Sequence, residues 1–478
     1  MLSLFGIDRS LMLRFVAEGS ARLAGFATMP LIVRLLGAES YGALTFTQAS
    51  VAAMVPLVSL GLGFSLVRQI AGDAGPVPAS ARLFSALALV SATALSLGTL
   101  LWLLAPVIAA HIPLAGNQIA LIRVSALLLP ATALQALSIE ALRARQLTAA
   151  ATGLQIAEAA GIPAAIILLT LAGMLSPVSI IAGIVAVKAL TGLAAMLRVI
   201  HALPTGRQAP LLAPWRDLRL AVAIGLPFMV SGFGEWLMAL GDRFVIGATA
   251  GPDAVGRYAA AQVMISVIAS WGAPFWWVLF PRFCSTLETR GRGAAMATSA
   301  SITAVFLEWG LPLLVVIQLA GVDILAVLGG PRLQVEPSVI AMLALATFIN
   351  QAATPWEYAL YAERRGAVLM RATLTWGTIA FAGTWAALPV LGLPGAALAI
   401  LAGRLGFAVW VLVVAGRIGY GHAIFAPPDT LKRIAIATVG AGLAVAAGYA
   451  AALPSIILAG IFAATYLALA LPLRLRAG

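Results

Sequence analysis

What most limits how this chain can fold is the length of its apolar runs. Stretches of about 20 residues or more recur from one end to the other, separated by short polar turns. A helix crosses about 30 Å of hydrocarbon in ~20 residues, whereas a barrel strand alternates apolar and polar side chains over ~10. The runs therefore read as membrane-spanning helices at 10–36, 42–68, 82–109, 118–142, 148–172, 176–199, 218–247, 254–281, 296–321, 336–362, 367–391, 394–417, 431–451 and 454–473. Composition agrees: 62% of the 478 residues are hydrophobic and only 10% are charged, against about a quarter charged in soluble domains. The expected fold class is all-α, a polytopic membrane protein of about 14 transmembrane helices. The first run is too long and too charged for a cleavable signal peptide and is expected to stay as a span. The single Cys284 leaves no partner for an intramolecular disulfide.

The net charge of +12 does not describe a nucleic-acid surface. No soluble segment carries a basic stripe interleaved with aromatics, so no nucleic-acid partner is expected. Of the 29 cations, only Lys188 and Lys432 are lysines. Most sit at alternate helix junctions, among them Arg9, Arg68, Arg82, Arg143, Arg145, Arg282, Arg290, Arg292, Arg364, Arg365, Arg417, Arg474 and Arg476. Arg34, Arg123, Arg243 and Arg257 fall near the opposite helix ends. By the positive-inside rule both termini are expected to be cytoplasmic, in a multi-pass protein of the bacterial inner membrane.

The chain also repeats itself. LGAESYG from Leu36 matches AGPDAVG from Ala250, aligning Gly37 and Gly42 with Gly251 and Gly256 at a spacing of 214 residues. The same spacing carries Arg68 onto Arg282, and Lys188 falls near Arg404 with two residues inserted. This predicts two pseudo-symmetric six-helix lobes in one orientation, residues 1–200 and 218–418, joined by a cytoplasmic linker at 201–217. Two additional transmembrane helices follow at 430–473 and read as lipid-facing or as an added packing surface. Parallel repeats are a transporter architecture, with the site between the halves.

Charged side chains inside the spans are the candidate site. A charge near the bilayer centre costs at least about 2.5–3.5 kcal/mol, so it usually faces a cavity or a partner. Arg14, Glu18 and Arg22 are four residues apart and share one helix stripe. They read either as a structural ion pair or as one wall of a polar cavity. Lys188 and Arg404 are mid-span cations, with Glu158 and Glu308 as carboxylates that would neutralise them. Glu235 is deep in its span, while Asp242 and Arg243 read as a clamp at the helix end. The candidate substrate-cavity set is Arg14, Glu18, Arg22, Lys188, Glu235 and Arg404; Glu158, Glu235 and Glu308 are candidate ion-coupling groups. No Walker A, CxxC or HExxH pattern occurs, and the three histidines fall in loops. Catalytic residues, metal and cofactor are therefore not expected.

Three segments resemble a known family. PLIVRLLGAESYGALTFTQASVAAMVPLVSLGLGFSLVRQIA is similar to the opening of bacterial polysaccharide-exporter flippases, oligosaccharide repeat-unit (Wzx-like) transporters of the multidrug, oligosaccharidyl-lipid and polysaccharide exporter superfamily. GLPFMVSGFGEWLMALGDRFVIGATAGPDAVGRYAAA resembles that family's seventh and eighth helices, and LGLPGAALAILAGRL its turn into helix twelve. The resemblance implies alternating access by a two-lobed bundle. The cargo would be an undecaprenyl-diphosphate-linked oligosaccharide repeat unit, moved across the inner membrane for surface polysaccharide synthesis. Implied partners are that lipid-linked oligosaccharide, membrane lipids, and polysaccharide polymerase and chain-length proteins. An arginine-bearing cavity suits a diphosphate by charge-assisted bidentate bonds, with Arg22 the foremost contact. Two alternatives stay open: a proton- or sodium-coupled drug exporter of the same superfamily, and a non-transporting membrane scaffold for polysaccharide enzymes.

Overall fold

In hydrocarbon every backbone N–H and C=O must be bonded within its own segment or across a closed sheet. Long apolar runs separated by tight turns satisfy that condition as helices. The computed structural model describes residues 9–63, 78–111, 117–145, 147–202, 212–330, 333–421, 428–451 and 453–475. Among the described residues all regular structure is helical: α1 Arg9–Ser59, α2 Ala79–His111, α3 Gln118–Ala126, α4 Leu128–Ala144, α5 Thr148–Leu171, α6 Pro177–Ala202, α7 Trp215–Ala239, α8 Gly241–Gly329, α9 Pro337–Ala362, α10 Gly366–Leu391, α11 Leu393–Arg417, α12 Pro428–Ala450 and α13 Ser455–Leu475. Twelve described stretches are long and apolar enough to cross a membrane, and Ser455–Ala470 is a shorter apolar helix.

At three places the junctions or the course of the expected spans have a local cause in the backbone. The first two spans are two helices that meet at Gly37, whose backbone is not helical (φ 86°, ψ 168°), and α1 covers both. The spans expected from 254 to 321 lie within α8, whose backbone turns left-handed at Gly251 (φ 83°) and Gly291 (φ 80°). Only glycine takes such φ values without strain, so a turn is made at these points without a loop. The fourth span is in two pieces, α3 and α4, parted at Leu127. Pro130 has no N–H to offer the Ala126 carbonyl, but Leu127 keeps right-handed helical angles (φ −72°, ψ −17°), so the two pieces run on as one apolar stretch, Gln118–Arg143, with one bond missing.

By contacts the chain divides into two units, Met1–Gly256 and Arg257–Gly478. Within the first, α4 and α5 both pack on α6, and α1 packs on α4, α5 and α7. Within the second, α9 and α10 both pack on α11. The fourth and fifth spans of each half thus lie against the sixth. The first unit also holds a reciprocal contact between repeat-related glycines. A β-carbon at Gly42 would overlap the carbonyl of Pro252, and one at Gly256 would overlap that of Ala38. The absence of side chains here lets two backbones meet, as small residues do in membrane helix packing.

The last two helices are not a loose appendage. Ala437, Ala441, Phe462, Tyr466 and Ala470 form a buried cluster against Val315, Val316 and Leu319 of α8. The Tyr466 hydroxyl donates to the Glu308 main-chain carbonyl at 2.7 Å, and Ser455 bonds to Asp323.

Candidate functional site

The charges of the first span come first in the chain. The backbone at Arg14, Glu18 and Arg22 is helical, so they lie one turn apart along α1. Their side chains lie outside the described residues.

In the first unit, α4, α5 and α6 bring polar side chains together in mid-span. Lys188 Nζ on α6 donates to Glu158 Oε1 on α5 at 2.6 Å and to Gln135 Oε1 on α4 at 3.1 Å. Gln135 Nε2 donates in turn to Glu158 Oε2 at 2.6 Å and to Thr191 Oγ1 at 3.0 Å. One amide thus bridges the cation and the anion, using its acceptor on one and its donors on the other. The lysine and glutamate side chains are each 22% exposed. The node is assembled by Gly192, where a β-carbon would stand 3.0 Å from the Gln135 backbone. That close approach brings α4 near enough for Gln135 to reach both charges.

The second unit has a counterpart. Arg404 on α11, 7% exposed, donates from Nη1 to Asn350 Oδ1 on α9 at 2.9 Å. Asn350 stands 215 residues after Gln135, and Arg404 stands 216 after Lys188. Each repeat therefore sets a cation from its sixth span on a carboxamide from its fourth. The match fails at the carboxylate: 215 residues after Glu158 stands Thr373, which turns its hydroxyl onto the Leu369 and Met370 carbonyls of its own helix. Beside Asn350, Gln351 accepts from Trp276 Nε1 at 2.7 Å. Glu308 is buried, 5% exposed, on the face of α8 that the final helices cover.

The remaining sequence-derived residues are dispersed. Glu235 is exposed on α7. Asp242 is fully buried and accepts the Arg243 main-chain amide at 2.8 Å in the first turn of α8, where a carboxylate suits the helix dipole. Glu140 pairs with Arg143 at 2.6 Å. At a junction outside the spans, Glu363 accepts from Tyr420 at 2.8 Å and from Arg292 at 2.9 Å. The Tyr420 hydrogen bond, then the Arg292 bond and charge, hold the Glu363 carboxyl below its usual range. Burial pushes Tyr420 up to about 12, so it stays a donor throughout the working pH range. Arg292 also lies 4.9 Å over the Tyr420 ring and donates to the Ile418 carbonyl at 2.8 Å. Among the described residues, no three His, Cys, Asp or Glu side chains gather as metal ligands.

Gln135, Thr191 and Asn350 were not singled out by the sequence analysis, which followed charges. The 215-residue spacing between Gln135 and Asn350 is the signal that marks them. What the nodes can do chemically is hold fixed cationic and hydrogen-bonding groups inside the membrane without a free charge facing lipid.

A family model described as "Polysaccharide biosynthesis protein" matches residues 9–287. No curated protein sequence matches the chain. Among solved structures, the chain is similar to the lipid II flippase MurJ in an inward closed conformation, with TM-score 0.74 and 13% identity over 95% of this chain and 97% of that one. It is also similar to the MATE multidrug transporter DinF-BH, with TM-score 0.63 and 13% identity over 88% and 97%. A third is the Vibrio cholerae MATE transporter VcmN in the bent form, with TM-score 0.59 and 14% identity over 88% and 96%. At these identities the likeness shows a shared fold, a polytopic helical one.

Proposed function

The chain belongs to the polysaccharide biosynthesis protein family, and on that premise we propose that it is a flippase for a lipid-linked oligosaccharide repeat unit. The cargo is an undecaprenyl-diphosphate-linked sugar carried from the cytoplasmic to the periplasmic leaflet of the bacterial inner membrane. The single observation that carries this reading is where the chain places its polar chemistry. Its described helices are joined by short segments, and its cation–amide nodes stand inside the spans of each unit. A polysaccharide protein built this way contributes within the bilayer, where the physical obstacle is moving a sugar diphosphate through about 30 Å of hydrocarbon. The polyprenyl tail can stay in lipid throughout.

In this reading the six-helix lobes 1–200 and 218–418 rock about a cavity, both termini are cytoplasmic, and Arg14, Glu18 and Arg22 line one wall. Lys188 and Arg404 contribute from the repeat-related nodes. Glu158, Glu235 and Glu308 are the groups through which a proton or sodium ion would be coupled. Polymerase and chain-length proteins receive the flipped unit. The test is depletion of the protein in its host. Cytoplasmic-face accumulation of lipid-linked oligosaccharide with loss of surface polysaccharide is expected, and normal surface polysaccharide would overturn the reading.

The Glu158–Lys188 ion pair within the first unit also suits a cation-coupled drug exporter. That reading requires resistance to toxic organic cations on overproduction, lost with Glu235→Gln or Glu308→Gln. Unchanged susceptibility would remove it.

A further inference from the structure

Arg123 on α3 has no role in either node. Its guanidinium carbon sits 4.4 Å from the centre of the Trp102 ring on α2, and its Nε is buried with no hydrogen-bond partner. Among the described residues no carboxylate meets it. One helical turn nearer the ends of the same two helices is a recess of about 440 Å³, lined by Pro106, Ala109, Ala110, Asn117, Gln118 and Ile119. Helical side chains tilt toward the N-terminus of their helix, which for Arg123 is the recess end.

The depth of this site is that of a lipid phosphate. The stretch Ser80–Ala110 has 31 residues and Gln118–Arg143 has 26. At 1.5 Å per residue they overhang a ~30 Å hydrocarbon core by roughly 8 Å and 4 Å at each end. Trp102 and Arg123 then lie within about 5 Å of the core boundary, the level of the aromatic belt. Beside them Leu103, Leu104 and Val107 are exposed, apolar surface for acyl chains.

We propose that this recess binds the phosphate of one anionic glycerophospholipid. Trp102 lies against the guanidinium, and the terminal Nη groups of Arg123, its Nε being buried, meet the phosphate and glycerol oxygens together with the amide N–H groups of Asn117 and Gln118. A single cation matches a phosphodiester carrying one negative charge. A diphosphate, with two or more, would call for further cations that the recess does not offer. The site depends only on the chain spanning a membrane and is independent of the cargo assigned above.

The test is native mass spectrometry of the purified full-length protein with phosphatidylglycerol or phosphatidylethanolamine added. The wild type is expected to retain one phosphatidylglycerol at least about fivefold more strongly than Arg123→Gln, as loss of a charge-assisted contact implies. Phosphatidylethanolamine, whose phosphodiester carries the same charge beside an ammonium, should lose retention by a smaller factor, and Arg123→Lys, which keeps charge without the planar stack, should be intermediate. Equal phosphatidylglycerol retention by wild type and Arg123→Gln would overturn the proposal. So would displacement of phosphatidylglycerol by equimolar undecaprenyl diphosphate, which would assign the recess to that lipid. Should Arg123→Gln fail to fold, Arg123→Lys and Trp102→Leu decide by the same comparison: reduced retention supports the site and unchanged retention overturns it.

Discussion

Lys188 and Glu158 hold each other inside the first unit, and Gln135 bonds to both. Removing one charge leaves the other in a low-dielectric span, so Glu158→Leu or Lys188→Met is expected to destabilise the protein by about 2–3 kcal/mol. The figure is reduced from a fully buried pair because both side chains keep some exposure. Thr191→Ala removes one neutral interhelical bond and should cost only about 0.6 kcal/mol. The double variant Glu158→Leu/Lys188→Met should recover most of the loss, since paired charges exchange well for packed apolar groups. Thermal unfolding in detergent measures all four, and a double variant as unstable as the worse single one would contradict this picture. Transport separates structure from function: a folded double variant that no longer carries cargo would give the pair a transport role. At this scale the sequence was half legible. Charged residues announce themselves against an apolar background, and Glu158 was named as a neutralising carboxylate for the mid-span cations. The carboxamides did not, because a lone Gln or Asn in a hydrophobic run carries no signal until its repeat-related partner is seen.

At the scale of helices and junctions, the repeat motif is explained by backbone geometry. Gly37 and Gly251 share a left-handed φ, and Gly42 and Gly256 share a contact with no room for a side chain. Gly42→Val and Gly256→Val should each destabilise by about 2 kcal/mol or more, because the obstructing atom is a backbone carbonyl and cannot swing aside. Gly25→Ala has open space around it and should be neutral or stabilising by up to about 1 kcal/mol. Fluorescence-detected size exclusion after heating distinguishes them, and a wild-type profile for Gly256→Val would contradict the contact. The junction of Glu363 with Tyr420 and Arg292 has a pH signature. Its folded pKa is lowered, so its stabilisation is present above the unfolded value of about 4.3 and is lost as pH falls through the folded value. Wild type should therefore lose stability on acidification below about pH 4.3 more steeply than Glu363→Gln. Parallel melting curves for the two would refute it. Span positions were readable because run length and hydropathy decide them. That Gly37, Gly251 and Gly291 turn the chain between spans without a loop was not, since the sequence does not show which backbone angle a glycine takes.

For the whole molecule, the membrane-spanning helical fold follows from burying backbone polarity in lipid, and within each unit the helices of the fourth and fifth spans pack on that of the sixth. The final two helices were expected to face lipid or to add packing surface. They do pack, covering α8 where Tyr466 meets the Glu308 carbonyl. Tyr466→Phe should cost about 1 kcal/mol through that lost bond, seen as a small drop in melting temperature, and no change would show that the bond contributes nothing. The charges of the first span, prominent in the sequence, lie outside the described side chains, so their part in the site rests on transport experiments. The most direct measurement is cargo movement in liposomes holding only this protein and a fluorescent undecaprenyl-diphosphate oligosaccharide, read by quenching from the outside. The flippase reading requires that quenchable label rise beyond the fraction in protein-free liposomes, with Arg22→Gln lowering the rate while the protein stays folded. Quenching identical with and without protein would contradict it.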